Sequence, residues 1–259
     1  MQTVAHHGRE TAYEVYDRGG DGAPVLFVHG SGGTGGLWKS QARLGDERPV
    51  VALDLSGHGE SDDFDADWGF ETLSAYADDV LAVAEATDSE FFVGNSLGGA
   101  VVLHILLERD YDPAGVVLNG TGAKLAVLDD LRDWLASDFD RAIEFLHGPD
   151  RLFHDPDPAL VEMSKEGMRA CGRAVTERDF CSCHTFDVRG DLGSVATPTL
   201  CLVGEHDHLT PPHYHEYLVD NIEGASMTVL DDAAHLAMLE QPDAFNEAVA
   251  GFCDDVEAR

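Results

Sequence analysis

Gly94-Asn95-Ser96-Leu97-Gly98-Gly99 decides the reading of this 259-residue chain. The apolar run Glu90-Phe91-Phe92-Val93 before it predicts a buried strand. The run Ala100 to Leu107 after it predicts a buried helix. A serine between strand and helix, with glycine two residues to either side, has the G-x-S-x-G spacing of a nucleophile elbow. The chain must reverse so sharply there that the serine is strained and flanking Cβ atoms would clash. The turn lifts the Ser96 hydroxyl clear of the sheet.

Working outward, strands and helices alternate. Thr11 to Asp17 alternates like a half-buried strand, and Pro24 to Val28 is apolar throughout, as in a central parallel strand. A helix is expected around Leu37 to Leu44. Pro49 to Leu55 is the next strand, and Thr72 to Thr87 has helical spacing of its apolar residues. After the elbow unit, Ala114 to Asn119 is another strand. The alternation then stops. From about Gly120 to Phe186 only short amphipathic helices are expected: Leu125 to Leu135, Arg141 to Leu146, Pro158 to Arg169 and Ala174 to His184. Strand, helix, strand, helix resume with Pro198 to Gly204, Pro211 to Ile222, Ser226 to Leu230 and Pro242 to Val256. The fold class is therefore α/β, a mostly parallel, doubly wound sheet with an all-helical insertion. The expected division is a core of residues 1–120 and 187–259 and a helical cap of residues 121–186. In such sheets ligands sit beyond the carboxyl ends of the strands.

Charge narrows the function classes. There are 49 acidic residues against 16 basic ones, a formal net charge of −33. That field repels nucleic acid and anionic membrane, so neither is an expected partner. The acids are spread along the chain, a pattern whose self-repulsion concentrated salt screens, so a halophilic source is expected. No apolar run approaches the ~20 residues that span a bilayer. The start shows no basic region followed by an apolar core, so a cytoplasmic protein is expected. Without an export signal, Cys171, Cys181, Cys183, Cys201 and Cys253 read as free thiols. The C-x-C spacing of Cys181 and Cys183 is too tight for the usual zinc pattern, so no metal is expected.

Ser96 needs a base, and the base an orienting acid, both at strand ends beyond the elbow. His235 follows the last strand and is the best base. His6 and His7 precede the first strand. His104 lies within the elbow helix, and His147, His154 and His184 fall in the helical insertion. His206, His208, His213 and His215 cluster near a helix start and read as surface or pocket residues. Asp207, just past the Pro198–Gly204 strand, is the best acid, since the alternative position at the preceding strand end holds the uncharged Asn119. An oxyanion needs two backbone N–H groups. They are assigned to Leu97, at the start of the elbow helix, and to Ser31, in the glycine-rich loop His29-Gly30-Ser31-Gly32.

Together with Asp54-Leu55-Ser56-Gly57-His58-Gly59-Glu60-Ser61, these pieces resemble the α/β-hydrolase family, specifically its serine hydrolases with a helical cap. The resemblance runs from about residue 11 to 256. It implies a triad of Ser96, Asp207 and His235, an oxyanion hole of Ser31 and Leu97, and a structural turn at Asp54–Ser61 that gives His58 no catalytic role. Family dehalogenases and epoxide hydrolases carry aspartate at the elbow, which Ser96 excludes. Asn95 resembles the G-N-S-x-G-G elbow of some carbon–carbon bond hydrolases.

The function expected is cofactor-free hydrolysis of a small-molecule carboxylic ester or lactone through an acyl-enzyme. The alternatives are hydrolysis of an enol-lactone or of a carbon–carbon bond in a diketone acid, cofactor-free haloperoxidase or perhydrolase chemistry, and a non-catalytic ligand receptor. Trp134, Phe139, Phe145, Met163, Met168 and Phe180 are candidate pocket residues, and Arg169, Arg173 and Arg178 candidate partners for a substrate carboxylate.

Overall fold

A computed structural model describes residues 1–259. Eight strands form one sheet: β1 (Gln2–His6), β2 (Arg9–Tyr16), β3 (Val25–Val28), β4 (Val50–Leu53), β5 (Phe91–Asn95), β6 (Gly115–Asn119), β7 (Thr199–Gly204) and β8 (Ser226–Leu230). Their order is β1-β2-β4-β3-β5-β6-β7-β8. β1 and β2 pair antiparallel, as do β2 and β4, and all other pairings are parallel. Every residue of β3, β4, β5, β6 and β7 is buried. That is why these strands read as unbroken apolar runs.

The nine α-helices are α1 (Phe70–Thr87), α2 (Leu97–Glu108), α3 (Asp129–Ser137), α4 (Phe139–Leu146), α5 (Pro158–Cys171), α6 (Arg173–Thr185), α7 (Pro212–Asn221), α8 (Ala237–Glu240) and α9 (Pro242–Glu257). Two apolar clusters cover the two faces of the sheet. One joins Leu26, Val51 and Phe92 to Tyr76 and Val80 of α1 and Val101 of α2. The other joins Val25, Phe27 and Val93 to Trp38 and to Phe245 and Val249 of α9. The expected α/β class with a doubly wound, mostly parallel sheet is the observed one. No helix is long and apolar enough to cross a membrane.

Three expectations are corrected. The helix around Leu37 to Leu44 is instead two short 3₁₀ segments, Gly35–Trp38 and Gln41–Asp46. Gly35 and Gly36 before the stretch and Gly45 after it confine it to eight residues, too few for an α-helix to hold on local propensity. β1 was not expected. It is a solvent-facing edge with little apolar alternation, joined to β2 by a tight turn in which His7 (φ 46°) and Gly8 (φ 80°) are both left-handed. The first insertion helix starts at Asp129 and not at Leu125. Lys124 pairs in an isolated bridge with Asp187, and the Leu125 N–H donates to the Phe186 carbonyl, which holds that stretch extended. Four helices, α3 to α6, lie between β6 and β7.

Candidate active site

The elbow is built by close backbone approach. A Cβ on Gly94 would lie 2.4 Å from the Gly98 carbonyl oxygen, and one on Gly98 would lie 2.3 Å from that of Val28. Ser96 between them has φ 55° and ψ −115°. A non-glycine residue in that region costs about 1–3 kcal/mol and persists only where its surroundings over-determine it. They do so here. The Ser96 N–H donates to the Asn119 carbonyl (2.9 Å), and the Ser96 carbonyl accepts from the Ala100 N–H (3.1 Å) and the Thr121 hydroxyl (2.9 Å). The strand–turn–helix is thereby tied to the end of β6.

His235 and Asp207 meet although 28 residues separate them. The His235 Nδ1–H donates to Asp207 Oδ2 at 2.8 Å. Asp207 Oδ1 accepts the N–H groups of Leu209 (2.8 Å) and Thr210 (2.9 Å), and the Thr210 hydroxyl donates to Oδ2 (2.8 Å). Burial alone raises the Asp207 pKa, but His235 and the Thr210 donors outweigh it and hold the carboxyl below its ordinary range. With Nδ1 committed to an ionised carboxylate, Nε2 is the nitrogen left to accept a proton. The His235 backbone is held too: its N–H donates to the Arg151 carbonyl (3.1 Å), and its carbonyl accepts from Asn95 Nδ2 (3.4 Å). Asn95 thus works as a brace between the elbow and the histidine loop.

Ser96 and His235 line one cavity of about 810 Å³, together with Gly30, Ser31 and Gly32. The loop after β3 passes directly over the serine, since a Cβ on Gly30 would lie 3.0 Å from Ser96 Cβ. Leu97 is the first residue of α2, where N–H groups lack intrahelical partners and the helix dipole is positive.

That loop is clamped from the helical insertion. Asp179 of α6 is fully buried. It accepts the Gly32 N–H (3.2 Å), the Tyr76 hydroxyl (2.6 Å) and His58 Nε2–H (2.9 Å). Burial opposes both charges of the His58–Asp179 pair. Their mutual attraction wins, lifting the His58 pKa well above its ordinary value and lowering that of Asp179. His29 beside them is pushed down to about 4 by burial and then by the charge on His58. Its neutral Nε2 accepts the Leu55 N–H at 3.0 Å.

The remaining candidates fall out as follows. Phe145, Met163, Met168 and Phe180 line the cavity, whereas Trp134 and Phe139 do not. Trp134 packs on Phe145 and under Arg141. Arg169, Arg173 and Arg178 also lie off the cavity. Arg169 pairs with Asp140, Arg173 with the Ala136 carbonyl, and Arg178 with Asp63. On so acidic a chain, surface carboxylates capture Arg169 and Arg178. The formal charges on the cavity wall are those of Lys39 and Arg151; none of its 35 residues is acidic. His208 and His213 line the cavity, and His104 bonds the Ser74 hydroxyl (3.0 Å). His215 lies beneath, where burial pushes its pKa down to about 4 and its Nε2 accepts the Thr121 N–H (3.1 Å).

Sequence reasoning missed Thr210, Asp179 and the brace made by Asn95. Thr210 was discoverable: a residue three after an aspartate is within reach of its carboxylate in an Asx-type turn. No local signal distinguishes Asp179 from the many other acids.

An α/β sheet with a strained serine elbow, and with an aspartate-bound histidine on the same cavity, has the geometry that attack by a serine hydroxyl requires. The profile of the alpha/beta hydrolase family matches residues 25–248, and the chain belongs to that family. It is 28% identical to a 3-oxoadipate enol-lactonase of Acinetobacter baylyi over 94% of this chain and 93% of that one. It is 26% identical to a pimeloyl-[acyl-carrier protein] methyl ester esterase of Neisseria meningitidis over 90% and 94% respectively. Among solved structures it superposes on Est816, an N-acyl homoserine lactone degrading enzyme, with TM-score 0.84 and 26% identity, covering 97% of this chain and 100% of that one.

Proposed function

We propose that the chain hydrolyses a small-molecule carboxylic ester or lactone. Ser96 attacks the carbonyl, and His235 Nε2 takes its proton and returns it to the leaving alcohol. Asp207 keeps the imidazole in the right tautomer and stabilises its cation. The N–H groups of Leu97 and Ser31 receive the oxyanion. Water, activated by His235, then releases the acid from the acyl-enzyme. The observation that carries this reading is the Asp207-oriented His235 opening onto the same cavity as the strained Ser96. The ester and lactone cleavage named for the relatives supports it.

Residues 121–186 act as a cap, supplying Leu131, Phe145, Met163, Met168 and Phe180 to the cavity. An apolar wall with Lys39 and Arg151 as its formal charges suits an acyl group that is neutral or carries a carboxylate, despite the chain's net charge. Asn95 has a bracing role that any family chemistry can use, so it does not favour carbon–carbon cleavage.

The test is hydrolysis of p-nitrophenyl esters of increasing chain length, and of simple lactones, in molar KCl. Ser96→Ala is expected to lower kcat/KM by at least ~10⁴-fold with the fold intact. Unchanged turnover in that variant would remove the serine mechanism.

A further inference from the structure

Away from the cavity, Asp150, His154 and His206 bring three potential ligand atoms within 4.8 Å of one another. His154 Nδ1 lies 2.5 Å from Asp150 Oδ1, and the His154 and His206 rings stack face to face at 3.6 Å and 12°. We infer that Asp150, His154 and His206 form a site for one divalent transition-metal ion, of the zinc class, that fastens the 150–154 segment to the loop carrying Asp207.

Three features carry this. First, the donor set of two imidazoles and one carboxylate suits zinc and its neighbours, with one position left for water. Second, the backbone beneath the ligands is already set. The His208 N–H donates to the Asp150 carbonyl (2.9 Å), the His206 N–H to the Ala233 carbonyl (2.9 Å), and the His154 N–H to Glu240 Oε1 (2.8 Å). Asp150 itself is held in a left-handed conformation, φ 55°. Rotation of the His154 and His206 side chains out of their stack then turns both ring nitrogens toward one point, at the ~2.0–2.2 Å bonds of such an ion. Third, the adjoining recess of about 540 Å³ is lined by His154 with Asp155, Asp157, Asp232 and Glu240. That carboxylate wall raises the local cation concentration at the ligands.

The position matters for the active site. His206 immediately precedes Asp207, and Arg151, next to Asp150, holds the His235 N–H through its carbonyl. Metal binding should therefore resist thermal opening of both loops.

The experiment titrates Zn²⁺ by calorimetry, and Co²⁺ by its visible absorption, into the full chain in molar KCl with excess Mg²⁺. The Mg²⁺ occupies nonspecific carboxylate sites. The wild type is expected to take up one ion per chain, give a Co²⁺ spectrum with nitrogen ligation, and melt at higher temperature with Zn²⁺. His154→Asn and His206→Asn should each weaken binding by more than ~100-fold, beyond what the loss of an outer-shell partner produces. Both should also lose the Zn²⁺-induced rise in Tm, while melting like the wild type without metal. Each ligand side chain is about one-third exposed or less, so both variants are expected to fold. Absence of saturable binding, or wild-type affinity in either variant, would overturn the assignment.

Discussion

The molecule contains two buried aspartate–histidine pairs of nearly equal length, Asp207–His235 at 2.8 Å and Asp179–His58 at 2.9 Å. Their surroundings separate their roles. The first opens its histidine onto the cavity beside Ser96. The second is sealed, with His58 and Asp179 both fully buried and the carboxylate saturated by Tyr76 and Gly32. The same chemical pair is proposed as acid–base machinery where one nitrogen remains free, and as a clamp where none does. The clamp spans the helical insertion, the Asp54–Ser61 turn and the loop of Ser31, so it fixes the position of that loop.

The comparison can be broken by exchanging the consequences of losing each acid. Asp207→Asn is expected to cut kcat by about ten-thousandfold through the wrong histidine tautomer, with Tm little changed. A near-normal rate would move the orienting acid elsewhere. Asp179→Asn should do the reverse. Leaving His58 buried without its partner is expected to cost about 3–5 kcal/mol of stability, read by denaturant unfolding. At temperatures where the variant remains folded, kcat should fall by roughly 10- to 100-fold with KM little affected, the cost of a loosened loop worth about one hydrogen bond to a charged group. Loss of activity equal to that of Asp207→Asn would erase the distinction.

The sign of the pH dependence sharpens it further. The raised His58 pKa contributes stability that is fully present below the ordinary histidine value of about 6.5 and is lost as pH rises through the folded value. The depressed Asp179 pKa contributes stability present above about 3.9 and lost as pH falls through its folded value. The wild-type advantage over Asp179→Asn should therefore be largest between those limits and shrink toward alkaline pH. An advantage that grows from neutral to alkaline pH would contradict the charged pair. The smallest effect is expected from Thr210→Val, which removes one donor to Asp207. It should lower kcat by about fivefold, the equivalent of roughly 1 kcal/mol, and leave the unfolding free energy nearly unchanged.

Local chemistry made the central parts legible. The glycines around Ser96 are demanded because a Cβ on Gly94 or Gly98 would lie only 2.4 or 2.3 Å from a carbonyl oxygen, so they appear as a pattern wherever such a turn is built. Residues buried on both faces left β3 to β7 as apolar runs. Asp207 and His235 followed because strand ends in a parallel sheet are where ligands collect. Edge strand β1, half in solvent, carried no such signature. Nor did Asp179, whose role depends on partners 103 to 147 residues away.

The chain's own order of residues thus determined the α/β class, the elbow, and which serine, acid and histidine were chemically suited to act together. Those features rest on periodicity, turn chemistry and charge, which are local. Tertiary structure alone decided that Asp179 clamps the loop carrying Ser31, that Arg178 is held by Asp63, and that Asp150, His154 and His206 converge. Each of these depends on packing between distant segments. In a chain with 49 acids, sequence offers no means of telling which carboxylates will be buried beside a cation.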